Sequence, residues 1–211
     1  QLAVRGVIAD ELDQVFEEER TQQYENKLSF SAMATAVADV TLRFAKNFRQ
    51  AYAAHKENLD VALSSFYAKI KATELPISEA IVARSAERAR ALQDQLDFTP
   101  WEVLEGYQVY ALDGNHLPET DKRLAPLRLL HDAPLPGTVV ARFDLQHQLF
   151  DRTYLLEDAH AQESTTLDRV LEDLQPGEVL MADRHYCILR FLRGANEKGV
   201  FFLVRQHGRF Q

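Results

Sequence analysis

Two apolar, β-prone runs in this sequence each stop on an aspartate: YQVYALDGNHL, residues 107–117, at Asp113, and VLMADRHYC, residues 179–187, at Asp183. In an open α/β sheet, ligands sit outside the carboxyl ends of the strands, so two such acids on neighbouring parallel strands project at one edge. Two close carboxylates repel, and one pKa rises unless a cation holds both ionised. Hard oxygen ligands suit Mg²⁺ or Mn²⁺, and a pair of such ions about 3.5–4 Å apart activates water and stabilises a leaving oxygen in phosphodiester chemistry. The competing reading is architectural. Aspartate caps helices and opens turns, and the Asp113–Gly114 dipeptide is a turn signal in its own right.

Several side chains near these acids bear on the same chemistry. Lys122, Arg123 and Arg128 follow the first acid in a loop-like segment, where they would neutralise DNA phosphates or simply be solvated. Arg184, next to the second acid, suits a phosphate, an orienting bond to Asp183, or a pair with Asp113. Arg205 lies in an apolar run and needs a phosphate or a carboxylate as partner. His116 and His185 stand near the acids without zinc-motif spacing, which favours hydrogen bonds to the acids over ligation. In HAQES, His160 and Glu163 share a helical face; Glu163 stands near the metals or merely favours a helix start. Cys187 reads as a small apolar residue and Trp101 as a packing residue between domains.

The elements that must position these residues change character near residue 104. Before it, apolar residues recur at three and four: Phe30, Met33, Val37, Val40, Phe44 and Phe48 in one stripe, and Leu59, Leu63, Phe66, Tyr67 and Ile70 in the next. Asn58 and Ser78 are candidate caps, the latter for a helix through Ile81, Ser85, Leu92 and Leu96. DELDQVFEEER adds a shorter amphipathic helix. In NLDVALSSFYAKIKA, Ser64, Ser65, Lys69 and Lys71 lie off the apolar stripe, a pattern that a DNA-reading helix shares with ordinary amphipathic helices.

After Pro100 and Gly106 the sequence predicts strands at 107–113, 138–144 and 149–156, the last two a hairpin through LQHQ. A helix at 160–174, a strand at 179–183, a helix near 186–197 closed by Gly199, and the strand VFFLVRQ follow. The fold class is therefore mixed α/β: a helical bundle at 1–104 and a β-β-β-α-β-α-β unit at 105–211, with the later strands parallel to the first.

Composition narrows the setting. The net charge is −8, and the two halves share the acidic excess equally, so any nucleic-acid surface must be local. No apolar run approaches the ~18 residues of a membrane helix, which leaves a cytoplasmic location as the default. The single cysteine cannot form an internal disulfide. The chain opens on Gln1 and ends at VRQHGRFQ, which reads as a fragment.

The segments YALDGNHLPETDKRLAPLR, VLMADRHYCILRFL and GVFFLVRQHG resemble the core of bacterial insertion-sequence DDE transposases of the cut-and-paste class. YENKLSF and ENLDVALSSFYAKI resemble the helical region that precedes that core. The resemblance implies an RNase H-like domain and Mg²⁺- or Mn²⁺-dependent cleavage of DNA at transposon ends, followed by strand transfer into target DNA. It implies assembly on paired DNA ends, such as a homodimer, and no membrane. Asp113 resembles the first catalytic acid and Asp183 the second. The family's third acid, a glutamate in a Tyr/Arg/Glu/Lys pattern after an inserted β segment, has no counterpart here, as truncation would produce. Two rivals stay open. A haloacid-dehalogenase-like phosphatase would want an acid where Asn115 stands, and a non-catalytic DNA-binding or assembly remnant would keep the fold alone.

Overall fold

The computed structural model describes residues 11–23, 27–116, 137–156 and 163–206. Two compact units divide the chain, Gln1–Arg88 and Ala89–Gln211. A helical N-terminal region precedes a mixed five-strand sheet with helices, the fold class expected from the sequence.

The helices run α1 (Leu12–Glu19), α2 (Phe30–Thr41), α3 (Phe48–Ala54), α4 (Lys56–Leu59), α5 (Leu63–Lys71) and α6 (Leu75–Gln95), and the division between units falls within α6. Ser29 and Asn47 cap α2 and α3 by accepting the N–H groups of Ala32 and Gln50. The core of the first unit gathers Phe16, Phe30, Met33, Phe66 and Ile77, with the Phe16 and Phe30 rings stacked at 5.0 Å.

Three expectations fail locally. The stripe from Phe30 does not run on to Phe48 as one helix. Arg43 takes a left-handed conformation, the N–H groups of Phe44 and Ala45 turn back onto the Asp39 carbonyl, and Phe44 is left 48% exposed. Asn58 caps nothing, because it lies inside α4, which Asp60 ends at φ 42°. Ser78 sits in the first turn of α6, whose start three residues earlier is set by Leu75 and Pro76, proline being tolerated there because its missing N–H would have no partner.

In the second unit the strands are β1 (Gln108–His116), β2 (Thr138–Asp144), β3 (Leu149–Leu156), β4 (Glu178–Ala182) and β5 (Phe201–Val204), in the sheet order β3-β2-β1-β4-β5. β2 is antiparallel to β1 and β3, whereas β4 and β5 run parallel to β1. Among the described residues, the crossover after β3 carries a 3₁₀ turn at Glu163–Thr166 and α7 (Leu167–Asp173) where a single helix over 160–174 was expected, and the next crossover carries α8 (Leu189–Glu197).

Strand alternation explains the core. Tyr110, Leu112, Val140, Tyr154 and Leu180 face one side and pack with Leu167 and Val170 of α7, with Leu174 just past its end, and with Phe191 and Ala195 of α8. The odd-numbered residues of β1 and β4, including Ala111 and Met181, face the other side. Gly199 ends α8 at φ 71°. Its N–H reaches the Asn196 carbonyl and that of Val200 reaches the Ala195 carbonyl, a Schellman closure.

Candidate functional site

The last paired residues of β1 and β4 are Leu112 and Ala182, and the last of β4 and β5 are Ala182 and Val204. The next residue on each chain segment is Asp113, Asp183 and Arg205. Adjacent strands lie about 4.8 Å apart, so an acid, an acid and an arginine form a row across the carboxyl ends of three parallel strands. All three line one open cleft of about 540 Å³ whose remaining wall includes Leu112, Met181, Leu203 and Val204.

Asp113 does not end β1, contrary to expectation. The strand continues to His116 because β2 still offers partners, with Asp113 opposite Ala141 and His116 opposite Thr138. Only the pairing with β4 stops at Leu112. The Asp113 side chain is exposed, and its Oδ1 accepts the Gly114 N–H at 3.0 Å.

Asp183 leaves β4 in extended conformation and caps the 3₁₀ turn Arg184–Tyr186. Its Oδ1 accepts the His185 N–H at 2.7 Å, and its Oδ2 lies 3.1 Å from His185 Nδ1. The architectural reading of this acid is thus realised, without removing the carboxylate from the cleft. His185 stands beside the acid as a hydrogen-bonding partner, with 65% of its side chain exposed.

Two carboxylates at one edge suit Mg²⁺, which dehydrates reluctantly and is commonly held by one or two carboxylates with waters and substrate phosphates completing the shell. Among the described residues no group of three or more His, Cys, Asp or Glu side chains gathers. The described carboxylates at this edge are Asp113 and Asp183.

Arg205 is exposed and stands just past the end of β5, not inside the strand as the sequence reading had it. Arg184 is exposed, does not line the cleft, and makes no ion pair with Asp113 or Asp183 among the described residues. For His116 and Glu163 the backbone alone is described, at the end of β1 and in the 3₁₀ turn before α7; their side chains lie outside the described residues, as do Lys122, Arg123, Arg128 and His160. Lys69 is not presented outward for DNA. Its Nζ donates to the Leu28 carbonyl and lies 5.0 Å from the centre of the Phe16 ring. Trp101 is 60% exposed rather than a packing residue, and Cys187 is only partly buried.

A buried charge network in the same unit escaped the sequence reading. Arg142 donates Nε and Nη2 to the two carboxylate oxygens of Asp151, at 3.0 and 2.8 Å, and its guanidinium lies 4.3 Å from the centre of the Tyr110 ring. A bulge between Arg142 and Phe143 leaves Asp151 outside the pairing register, which aims it inward. Arg90 spans Asp144 and Asp151 at 2.9 and 3.1 Å, and Asp144 also accepts from Gln108 and from the backbone and ring of His147.

Burial disfavours ionised Asp144, yet the His147 and Arg90 hydrogen bonds outweigh it and hold the carboxyl below its usual range. Burial, reinforced by Glu178 and Asp151, pushes the Tyr110 phenol up to about 12. Asp144 stands opposite Tyr110 and Arg142 opposite Leu112, one residue before Asp113, so the network braces the sheet beside the site, and none of its residues lines the cleft. The signal for it was the alternation of TVVARFD, which puts Arg142 and Asp144 at inward positions with Thr138 and Val140.

No family model matches the sequence, and no curated protein matches it. By structure, the chain is distantly similar to a chain in the cryo-EM structure of a simian T-cell lymphotropic virus intasome in complex with the PP2A regulatory subunit B56 gamma. The TM-score is 0.35 at 8% identity, over 60% of this chain and 44% of that one. The match therefore spans less than half the length of that chain. No described helix is long and apolar enough to cross a membrane.

Proposed function

We propose that the second unit is the core of a DDE transposase with an RNase H-like fold, whose parent protein cleaves DNA at transposon ends and transfers the strand into target DNA. The observation that carries this reading is the row Asp113, Asp183 and Arg205 across three parallel strand ends. The β-β-β-α-β-α-β order supports it as well.

In this reading Asp113 and Asp183 hold Mg²⁺ or Mn²⁺ through hard carboxylate oxygens. When bound, such ions activate the attacking water or 3′-hydroxyl and stabilise the leaving oxygen. The exposed Arg205 guanidinium takes a phosphate oxygen of the DNA, as planar bidentate donors do. His185 orients Asp183 from the turn that this acid caps. Lys122, Arg123, Arg128 and Arg184 would add phosphate contacts, and His116 and Glu163 would stand around the acids. A third carboxylate is required, and no gathered group among the described residues supplies it. The reading carries with it assembly as a homodimer on paired DNA ends and action in the bacterial cytoplasm, at the nucleoid.

The test is Mn²⁺ titration by calorimetry on the chain and on its Asp113→Asn and Asp183→Asn variants. Binding that both substitutions abolish supports one shared site. Binding that neither changes removes the two acids from metal chemistry and with them the proposal.

A further inference from the structure

Residues 40–56, from Val40 to Lys56, carry four Lys or Arg and no Asp or Glu, in a chain whose net charge is −8. Arg43, Lys46, Arg49 and Lys56 are all exposed. Other arginines of the first unit are neutralised: Arg20 pairs with Glu17, Arg84 with Glu11, Glu18 and Glu87, and Arg88 with Glu11. None of the four cations in the run makes an ion pair among the described residues.

The local fold gathers them. α3 and α4 are separated by His55 alone; Arg49 and Ala53 lie four apart on α3, Lys56 opens α4, and Arg43 and Lys46 stand in the turn that leads to the Asn47 cap, all of them exposed. The opposite face, with Ala51 and Leu59, is buried. The acid closest to the run on its N-terminal side, Asp39, is 8% exposed and turned inward, where it meets His55 Nε2 at 2.7 Å. Glu57 and Asp60 bound the face at its other end. Phe44, 48% exposed, flanks the cations in the turn before α3.

We infer that this face binds the phosphodiester backbone of a nucleic acid. Unpaired cations on two short helices and the turn before them gain by displacing the counterions condensed on DNA. Outside this run the first unit carries more Asp and Glu than Lys and Arg, an excess that repels the same polyanion and, within that unit, favours contact at this face. An exposed aromatic ring beside the cations suits stacking on a sugar or an unpaired base. A lipid surface would want a broader apolar face than one phenylalanine. The inference does not depend on the acid pair of the second unit.

The experiment is fluorescence anisotropy of a labelled mixed-sequence DNA duplex titrated with the whole chain at several salt concentrations. The comparison is with a variant carrying Arg43→Gln, Lys46→Gln, Arg49→Gln and Lys56→Gln, its folding checked by circular dichroism, and with Arg193→Gln as a charge control. Affinity should fall about tenfold or more at low salt in the fourfold variant, and the slope of log K against log salt should shrink by about 0.9 for each cation that had met a phosphate. The Arg193→Gln chain, which loses an exposed cation outside the cleft that is already paired with Glu197, should bind as the parent does, and with EDTA present a failure of the metal reading leaves this result untouched. Duplex binding that the fourfold variant retains in full would overturn the inference. So would absent duplex binding, with or without binding of the parent chain to phosphatidylserine vesicles.

Discussion

Asp113 and Asp183 stand one residue beyond Leu112 and Ala182, the last paired positions of two adjacent parallel strands, yet they are held differently. Asp113 is fixed from one side by β2, whereas Asp183 is held by the turn it caps.

That difference separates two kinds of substitution. Asparagine caps as well as aspartate, so Asp183→Asn should leave stability nearly unchanged without metal, while Asp183→Ala should cost about 1 kcal/mol through the lost cap. Both should lose Mn²⁺ binding. Asp113→Asn should be neutral or slightly stabilising without metal, because it relieves like-charge repulsion. Thermal unfolding with and without Mn²⁺ measures each outcome. A loss on Asp183→Asn equal to that on Asp183→Ala would show that the charge, not the cap, matters to the turn.

Arg142, which does not line the cleft, offers a separate stability test. With 5% of its side chain exposed, it forms a two-pronged pair with an Asp151 that is 2% exposed. Arg142→Met should cost about 3 kcal/mol, near the lower end for breaking a buried pair, because Arg90 stays on Asp151. Urea denaturation gives the value. A loss below about 1 kcal/mol would mean that water or Arg90 compensates.

Acid sensitivity should come in part from Glu74. Burial opposes its ionisation, but its carboxylate accepts the Thr21 hydroxyl and the N–H groups of Thr21, Gln22 and Gln23, which together lower its pKa from 4.5 to about 2. A folded pKa below the unfolded one contributes stability that is fully present above about 4.5 and is lost as pH falls toward 2. Asp144, also lowered, acts with the same sign. Glu74→Gln should therefore flatten stability against pH across that window. An unchanged acid limb would assign it to other carboxylates.

Gly199→Ala should destabilise by about 1 kcal/mol, since a left-handed residue that carries a Cβ is strained. Crowding contributes little: an added Cβ would meet Pro176 only at an ordinary 3.7 Å. Gly199→Asn, better tolerated in that conformation, should recover part of the loss in thermal unfolding.

Much of the second unit was legible because its strands are short runs with clear punctuation. LQHQ closes the β2–β3 hairpin and Gly199 closes α8, as their residue types require. The row of Asp113, Asp183 and Arg205 was legible only as three separate strand ends, because register between strands distant in sequence is set by packing. The run from Phe30 to Phe48 misled for a local reason. Its apolar spacing continues through Phe44, but the chain reverses at Arg43 and Asn47 caps anew, so the period outlasts the helix. Asp151 was hidden by its bulge, which simple alternation along β3 does not foresee.

The crossover that carries α7 must close before β4 can lie beside β1, so the two acids meet only in a chain whose sheet has already assembled. Contacts of such sequence separation form late and slowly. A cation that needs both carboxylates would discriminate between folded and unfolded chains, and by mass action its concentration would raise the apparent melting temperature. The row at the strand ends would then serve as a gauge of completed folding as well as a place for chemistry.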